Sequence, residues 1–156
     1  MSKENIFGQL DAVLQLCRNL DYADPDEAEE WLEEAFPFAS DDIQALREAC
    51  EHGVAEGWLC NKGEGAVRYS RIAKPDMPEQ TCSVDVVLME GPGPRHRHPR
   101  GEVDLCFPIE GKPTFDGRDP GWVVYADDSE HVPTVEGGKM LILYILPMGE
   151  IEWLGD

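Results

Sequence analysis

The chain has 156 residues, enough for one domain with a substantial core and room for a small appendage. Hydrophobic residues make up 42% and charged ones 29%, which excludes disorder as the main state. Against 13 Lys and Arg stand 32 Asp and Glu, for a formal charge of −19, so nucleic acid and anionic membrane surfaces are poor partners.

No apolar run reaches the roughly 18 residues of a membrane span, and the first residues lack a basic segment followed by an apolar one. No membrane span or signal peptide is therefore expected. The five cysteines are scattered without a C-x-x-C pair, which suits free thiols in a reducing, cytoplasmic setting.

Residues 1–66 carry 16 acidic and 4 basic side chains and read as helices. Ile6, Leu10, Val13, Leu14 and Cys17 make one apolar face. Asp24, Pro25 and Glu27 mark a second helix start, with an acidic cap and proline at the first helical position. Ala28, Trp31, Leu32, Ala35 and Phe36 form its stripe. Ser40 caps a third helix carrying Ile43, Leu46, Cys50 and Val54, with Gly57 as its stop. Three helices before a hairpin also suit a winged helix, but Arg47 is the only Lys or Arg in the third, which excludes DNA reading.

After Gly57 the apolar period changes to two. Residues 58–60 and 67–72 read as a hairpin around a turn at 61–65, followed by a Pro-rich loop at 73–80. Strands are expected at 81–89, 102–109, 121–125, 132–135, 139–146 and 151–153, separated by Gly- and Pro-rich turns. That pattern predicts a mainly β fold, an antiparallel sandwich or barrel over 58–156, preceded by an acidic helical segment over 1–57.

His96 and His98 are two apart in an extended segment, so their imidazoles project from one face. Glu102 opens the next strand and His131 follows a further strand. Three imidazoles and one carboxylate fill four positions of a divalent first-row metal and leave one or two open. Asp104 shares strand parity with Glu102, so it is a candidate second acid, either partnering a ligand or moving protons. His52, among acids on the third helix, reads as a surface residue, and Cys106 as packing.

The pattern His96-x-His98-x-x-x-Glu102, then Gly111 and His131, resembles the two motif blocks of the cupin superfamily. The second block departs from that pattern, with Ala126 and Asp128 where Pro and Gly are usual and Val135 in place of Asn. A closer resemblance covers roughly 66–153. The stretches GEVDLCF at 101–107, FDGR at 115–118, GWVVY at 121–125, HVPTV at 131–135 and GGKMLILY at 137–144 are similar to the 4-hydroxylaminobenzoate lyase family.

The resemblance implies a cupin-like, jelly-roll β-barrel with about three N-terminal helices. It also implies a lyase that turns 4-hydroxylaminobenzoate and water into 3,4-dihydroxybenzoate and ammonia. His96, His98, Glu102 and His131 would hold one divalent transition metal ion, iron or manganese before zinc, cobalt or nickel. Glu102 and Asp104 are the candidate catalytic acids. A small aromatic carboxylate needs a cation and an aromatic wall, for which Arg68, Arg71, Tyr144 and Trp122 are the candidates. The chain offers no Gly-rich nucleotide loop, so no nucleotide cofactor is expected. Symmetric small barrels commonly pair, which leans toward a homodimer. Two other readings are a ring-cleaving cupin dioxygenase and a non-catalytic metal or ligand sensor.

Overall fold

The computed structural model describes residues 3–73, 82–147 and 149–154. Its first three elements are α1 (Lys3–Arg18), α2 (Pro25–Ala35) and α3 (Asp41–Glu56). Their ends follow from capping chemistry. The Asp24 carboxylate accepts the Glu27 N–H, and Ser40 Oγ accepts that of Ile43, so each satisfies an otherwise orphaned donor. Gly57, at φ 90°, closes α3 with its N–H on the carbonyls of Gly53 and Val54.

On α2 the apolar stripe is narrower than its sequence suggests. Ala28 and Leu32 are buried, whereas Trp31 is 52% exposed and Ala35 is also exposed. The helix lies along the edge of a sheet rather than across a broad face, so only one line of side chains is covered.

Strands follow in two antiparallel sheets. The larger holds β1 (Lys62–Glu64), β2 (Val67–Ala73), β3 (Cys82–Met89), β8 (Val135–Pro147), β5 (Glu102–Phe115) and β6 (Gly121–Tyr125), in that spatial order. The smaller sets β4 (His96–His98) between β7 (Ser129–His131) and β9 (Glu152–Trp153). The architecture is the mainly β one expected, with helices first. Its barrel is not closed among the described residues. The strands of the smaller sheet are only two or three residues long, too short to carry the ladder round.

Several boundaries differ from the sequence expectation. The first hairpin turns at Gly65 and Ala66, so 62–64 is strand and 58–60 is not. Gly65 supplies the positive φ of 72° that such a two-residue turn requires. β5 continues to Phe115 because irregularities after Pro108 and Gly111 accommodate two prolines that cannot donate to a ladder. Residues 132–134 are not strand; β7 ends before them and β8 begins at Val135. Thr81 and most of the expected 73–80 loop lie outside the described residues.

Strand alternation gives the large sheet two faces. Val103, Leu105 and Phe107 of β5 pack with the helices around Leu10, Leu32 and Leu46. Glu102, Asp104 and Cys106 alternate with them and face the smaller sheet. The edge strand β6 is covered by α2, where Glu29 accepts the Val124 N–H at 2.9 Å. No helix among the described residues is long and apolar enough to cross a membrane.

Candidate metal centre

The four residues singled out from the sequence meet in space. β4 presents His96 and His98 on one face, each buried, with Arg97 turned outward between them. β7 pairs beside β4 and sets His131 opposite His96. Glu102 enters from the other sheet, fully buried. One donor atom from each residue lies within 4.8 Å of the other three.

The ring nitrogens are already sorted. His96 Nδ1 donates to the Pro94 carbonyl at 3.2 Å, and His131 Nδ1 donates to Asp116 Oδ2 at 2.6 Å. Ser129 Oγ gives its own proton to the Ala126 carbonyl, so it accepts from His98 Nδ1 at 3.0 Å. With all three Nδ1 positions engaged, the Nε2 atoms converge on Glu102 at 3.2, 3.4 and 3.6 Å. An ion about 2.1 Å from each donor needs donor separations of roughly 3 to 4 Å; the three distances to Glu102 meet this, and the whole set lies within 4.8 Å. His98 Nε2, His131 Nε2 and Glu102 Oε2 are buried without a hydrogen-bond partner among the described residues. A cation would satisfy all three together. The donor set of imidazoles and carboxylate suits a divalent first-row ion.

The electrostatics agree. Burial alone would raise Glu102, but the rings of His131, His96 and His98 gathered around it outweigh this and hold the carboxyl well below its usual range. Burial also depresses His131, yet Asp116 and Glu102 overcome this and carry the ring up to about 9. Asp104 goes the other way: burial first, then the charge of Glu102, push it well above an ordinary carboxyl. Both of its oxygens are buried and have no hydrogen-bond partner among the described residues.

A cavity of about 640 Å³ opens beside His96, with Tyr144, Tyr69, Trp153, Arg71 and Arg95 among its walls. Tyr144 sets its ring edge-on to His96, centroids 6.4 Å apart, and its hydroxyl is buried without a partner. Arg71 lines the same cavity but is engaged by Asp85 through two bonds of 2.8 and 3.1 Å.

Arg68 and Trp122 lie elsewhere. Arg68 neighbours Arg71 by only three residues, but strand parity turns it to the opposite face, where it is exposed. Trp122 is buried against the helices and donates to the Phe36 carbonyl at 2.9 Å. His52 is a surface residue beside Glu56, and Cys106 is buried packing.

Sequence reasoning missed Asp116, Ser129 and Trp153. Asp116 was visible only as the first residue of an Asp-Gly turn; nothing in the sequence paired that turn with His131. Trp153 lies opposite His96 across β4 and β9, its ring 5.5 Å from the imidazole.

Comparison with known proteins finds one family. The model of the 4-hydroxylaminobenzoate lyase family matches residues 11–153. A 4-hydroxylaminobenzoate lyase of Nocardioides sp. (strain LMS-CY) is 30% identical over 138 residues, 82% of each chain. One from Pseudomonas putida is 28% identical over 143 residues, 80% of this chain and 81% of its own. Among solved structures, an RmlC-like cupin protein from Ralstonia eutropha JMP134 aligns with a TM-score of 0.43 and 19% identity, over 60% of this chain and 62% of its own. A salicylate 1,2-dioxygenase from Pseudoaminobacter salicylatoxidans gives 0.41 and 11%, over 73% of this chain and 36% of its own. With a match that runs through both sheets and all four convergent ligands, the chain belongs to the 4-hydroxylaminobenzoate lyase family.

Proposed function

We propose that this chain is a metal-dependent lyase that converts 4-hydroxylaminobenzoate and water to 3,4-dihydroxybenzoate and ammonia. The observation that carries this reading is the convergence of His96, His98, Glu102 and His131 at the wall of an aromatic-lined cavity, in a member of that family. The cavity volume suits a single substituted benzene ring.

The overall reaction is redox-neutral. The hydroxylamino oxygen leaves as water, one water adds at C3, a second replaces nitrogen at C4, and ammonia departs as the ring regains aromaticity. The net change is one water in and one ammonia out. A divalent ion, iron or manganese before zinc, cobalt or nickel, would supply Lewis acidity and a water of lowered pKa.

The chain's own groups do the rest. Asp104, its buried carboxyl pushed up beside Glu102, would hold a proton and deliver it to the departing oxygen. Glu102 holds the metal and, as an ionised neighbour, keeps Asp104 protonated. Tyr144 offers a hydroxyl with no hydrogen-bond partner among the described residues, held as a neutral phenol by burial first and then by the charge of Glu102. Arg71 supplies the guanidinium that a substrate carboxylate needs. The five cysteines are free and buried, which fits a reducing compartment.

The test is an anaerobic assay of the metal-loaded protein with 4-hydroxylaminobenzoate, following both products. Equal release of 3,4-dihydroxybenzoate and ammonia is expected. No release from protein with confirmed metal content overturns the reaction.

A further inference from the structure

His131 has the thinnest scaffold of the four ligands. It ends β7, a three-residue strand at the edge of the smaller sheet, and its side chain is 12% exposed while those of His98 and Glu102 are fully buried. A short edge strand fixes the Cα position but leaves the ring torsion broad, so something else must aim the nitrogen.

We propose that Asp116 is a positioning residue for His131, fixing its ring so that Nε2 faces the other three donors and thereby setting the site's affinity for a divalent metal ion. The inference rests on the metal-binding reading of those four residues. Asp116 sits in the hairpin turn after β5, where Phe115 and Arg118 exchange backbone bonds of 2.9 and 2.8 Å. Its own φ of 51° is a left-handed conformation that Asp tolerates better than most residues.

Two bonds brace this turn against the segment after β7. The Asp116 N–H donates to the Thr134 carbonyl, and Asp116 Oδ1 accepts the Thr134 N–H, each at 2.8 Å. The second oxygen, Oδ2, accepts from His131 Nδ1 and from the Tyr125 hydroxyl. The Tyr125 ring lies over the His131 ring with centroids 4.1 Å apart. His131 is thus held by a carboxylate at one nitrogen and an aromatic face beside it.

The partner's charge sets His131 apart. His96 and His98 rest on a carbonyl and a hydroxyl, whereas His131 alone of the three rests its Nδ1 on an anion. A carboxylate behind an imidazole both orients it and strengthens its opposite nitrogen as a donor.

Chelator competition gives the cobalt(II) Kd of the wild type, Asp116→Asn and Tyr125→Phe, with melting of each metal-free protein measured alongside. Asp116→Asn should weaken cobalt binding by about 10–100-fold and change the visible ligand-field spectrum. Tyr125→Phe keeps the Asp116–His131 bond and should change both far less. Wild-type affinity with an unchanged spectrum in Asp116→Asn overturns the proposal.

Should Asp116→Asn fail to fold, the zinc-loaded wild type decides by nitrogen-15 NMR. A slowly exchanging Nδ1 proton on His131, shifted downfield by the carboxylate, is expected; a bare Nδ1 overturns the assignment. A wild-type protein that takes up no metal overturns the metal-centred function and this inference together. Failure in Asp116→Asn alone leaves that function standing.

Discussion

Tyr144 stands directly opposite Asp104 across the β5–β8 ladder, and among the described residues neither side chain's oxygen atoms have a hydrogen-bond partner. The same transverse row continues through Asp85 on β3 to Arg71 on β2. Four neighbouring strands thus present acid, phenol, carboxylate and guanidinium on one face, over roughly 14 Å at the usual strand spacing. The acid end adjoins the histidines, and the guanidinium end lines the cavity. On the proposed function, a para-substituted benzoate laid along this row would bring its hydroxylamino group to the four convergent donors and its carboxylate toward Arg71.

The ligand set makes the first prediction. His96→Ala or His131→Ala should lose bound metal and turnover together, measured by elemental analysis beside the product assay. Chelator treatment of the wild type should reproduce the loss, and adding the metal back should restore it. Full turnover in a metal-free variant would remove the metal from the mechanism.

Asp104→Asn separates proton delivery from metal binding. The amide fills the same space without the acid proton, so metal content should stay at the wild-type level. Turnover should fall by about 100-fold or more if Asp104 moves a proton. Unchanged kcat with normal metal content would reduce Asp104 to scaffolding.

Arg71 is tested by substrate choice. Charge-assisted bonds to a carboxylate contribute about 1.5–3 kcal/mol, or roughly 10–150-fold in affinity. Arg71→Gln should therefore raise KM for 4-hydroxylaminobenzoate by that order, and more so because Asp85 is left as an unpaired anion beside the substrate. KM for phenylhydroxylamine, which lacks the carboxylate, should move much less. Equal effects on both substrates would mean that Arg71 only supports the strand pair.

Much of the centre was legible because it depends on local parity. His96 and His98 share a face by the two-residue repeat of an extended chain, and Glu102 and Asp104 share one for the same reason. Helix ends were legible from Asp24, Ser40 and Gly57, whose capping chemistry is also local. What could not be read depends on register between distant strands. Trp122 faces the helices because it pairs with Leu105 rather than Asp104, a one-residue matter fixed by the β5–β6 ladder. Asp116 reaches His131 only because β5 runs on past Pro108 and Pro113 before turning.

Glu29 carries a structural prediction. Its carboxylate caps the Val124 N–H on the edge strand and pairs with Arg118. Glu29→Ala should destabilise the fold by about 1.5–3 kcal/mol, since it removes a charged acceptor from a backbone donor. Glu29→Gln keeps an acceptor and should lose less. Urea midpoints at equal m-value report the difference, and equal losses in both variants would assign the effect to the Arg118 pair instead.

The buried thiols predict how stability falls with pH. Burial raises all five, with Cys50 near 12, Cys60 and Cys82 near 11, and Cys17 and Cys106 well above their usual range. In the unfolded chain they ionise near pH 8.5, so there the unfolded state binds fewer protons than the folded one. Stability from these groups is complete below that pH and is lost as pH rises toward the folded values. Each thiol adds a slope of about 1.4 kcal/mol per pH unit within that window. Urea midpoints should therefore drop between pH 8.5 and 11, and Cys17→Ala should make the drop shallower. At pH 8 a thiol-specific reagent should label the native protein only on addition of denaturant; rapid labelling of the native chain would show that these thiols are reached without unfolding.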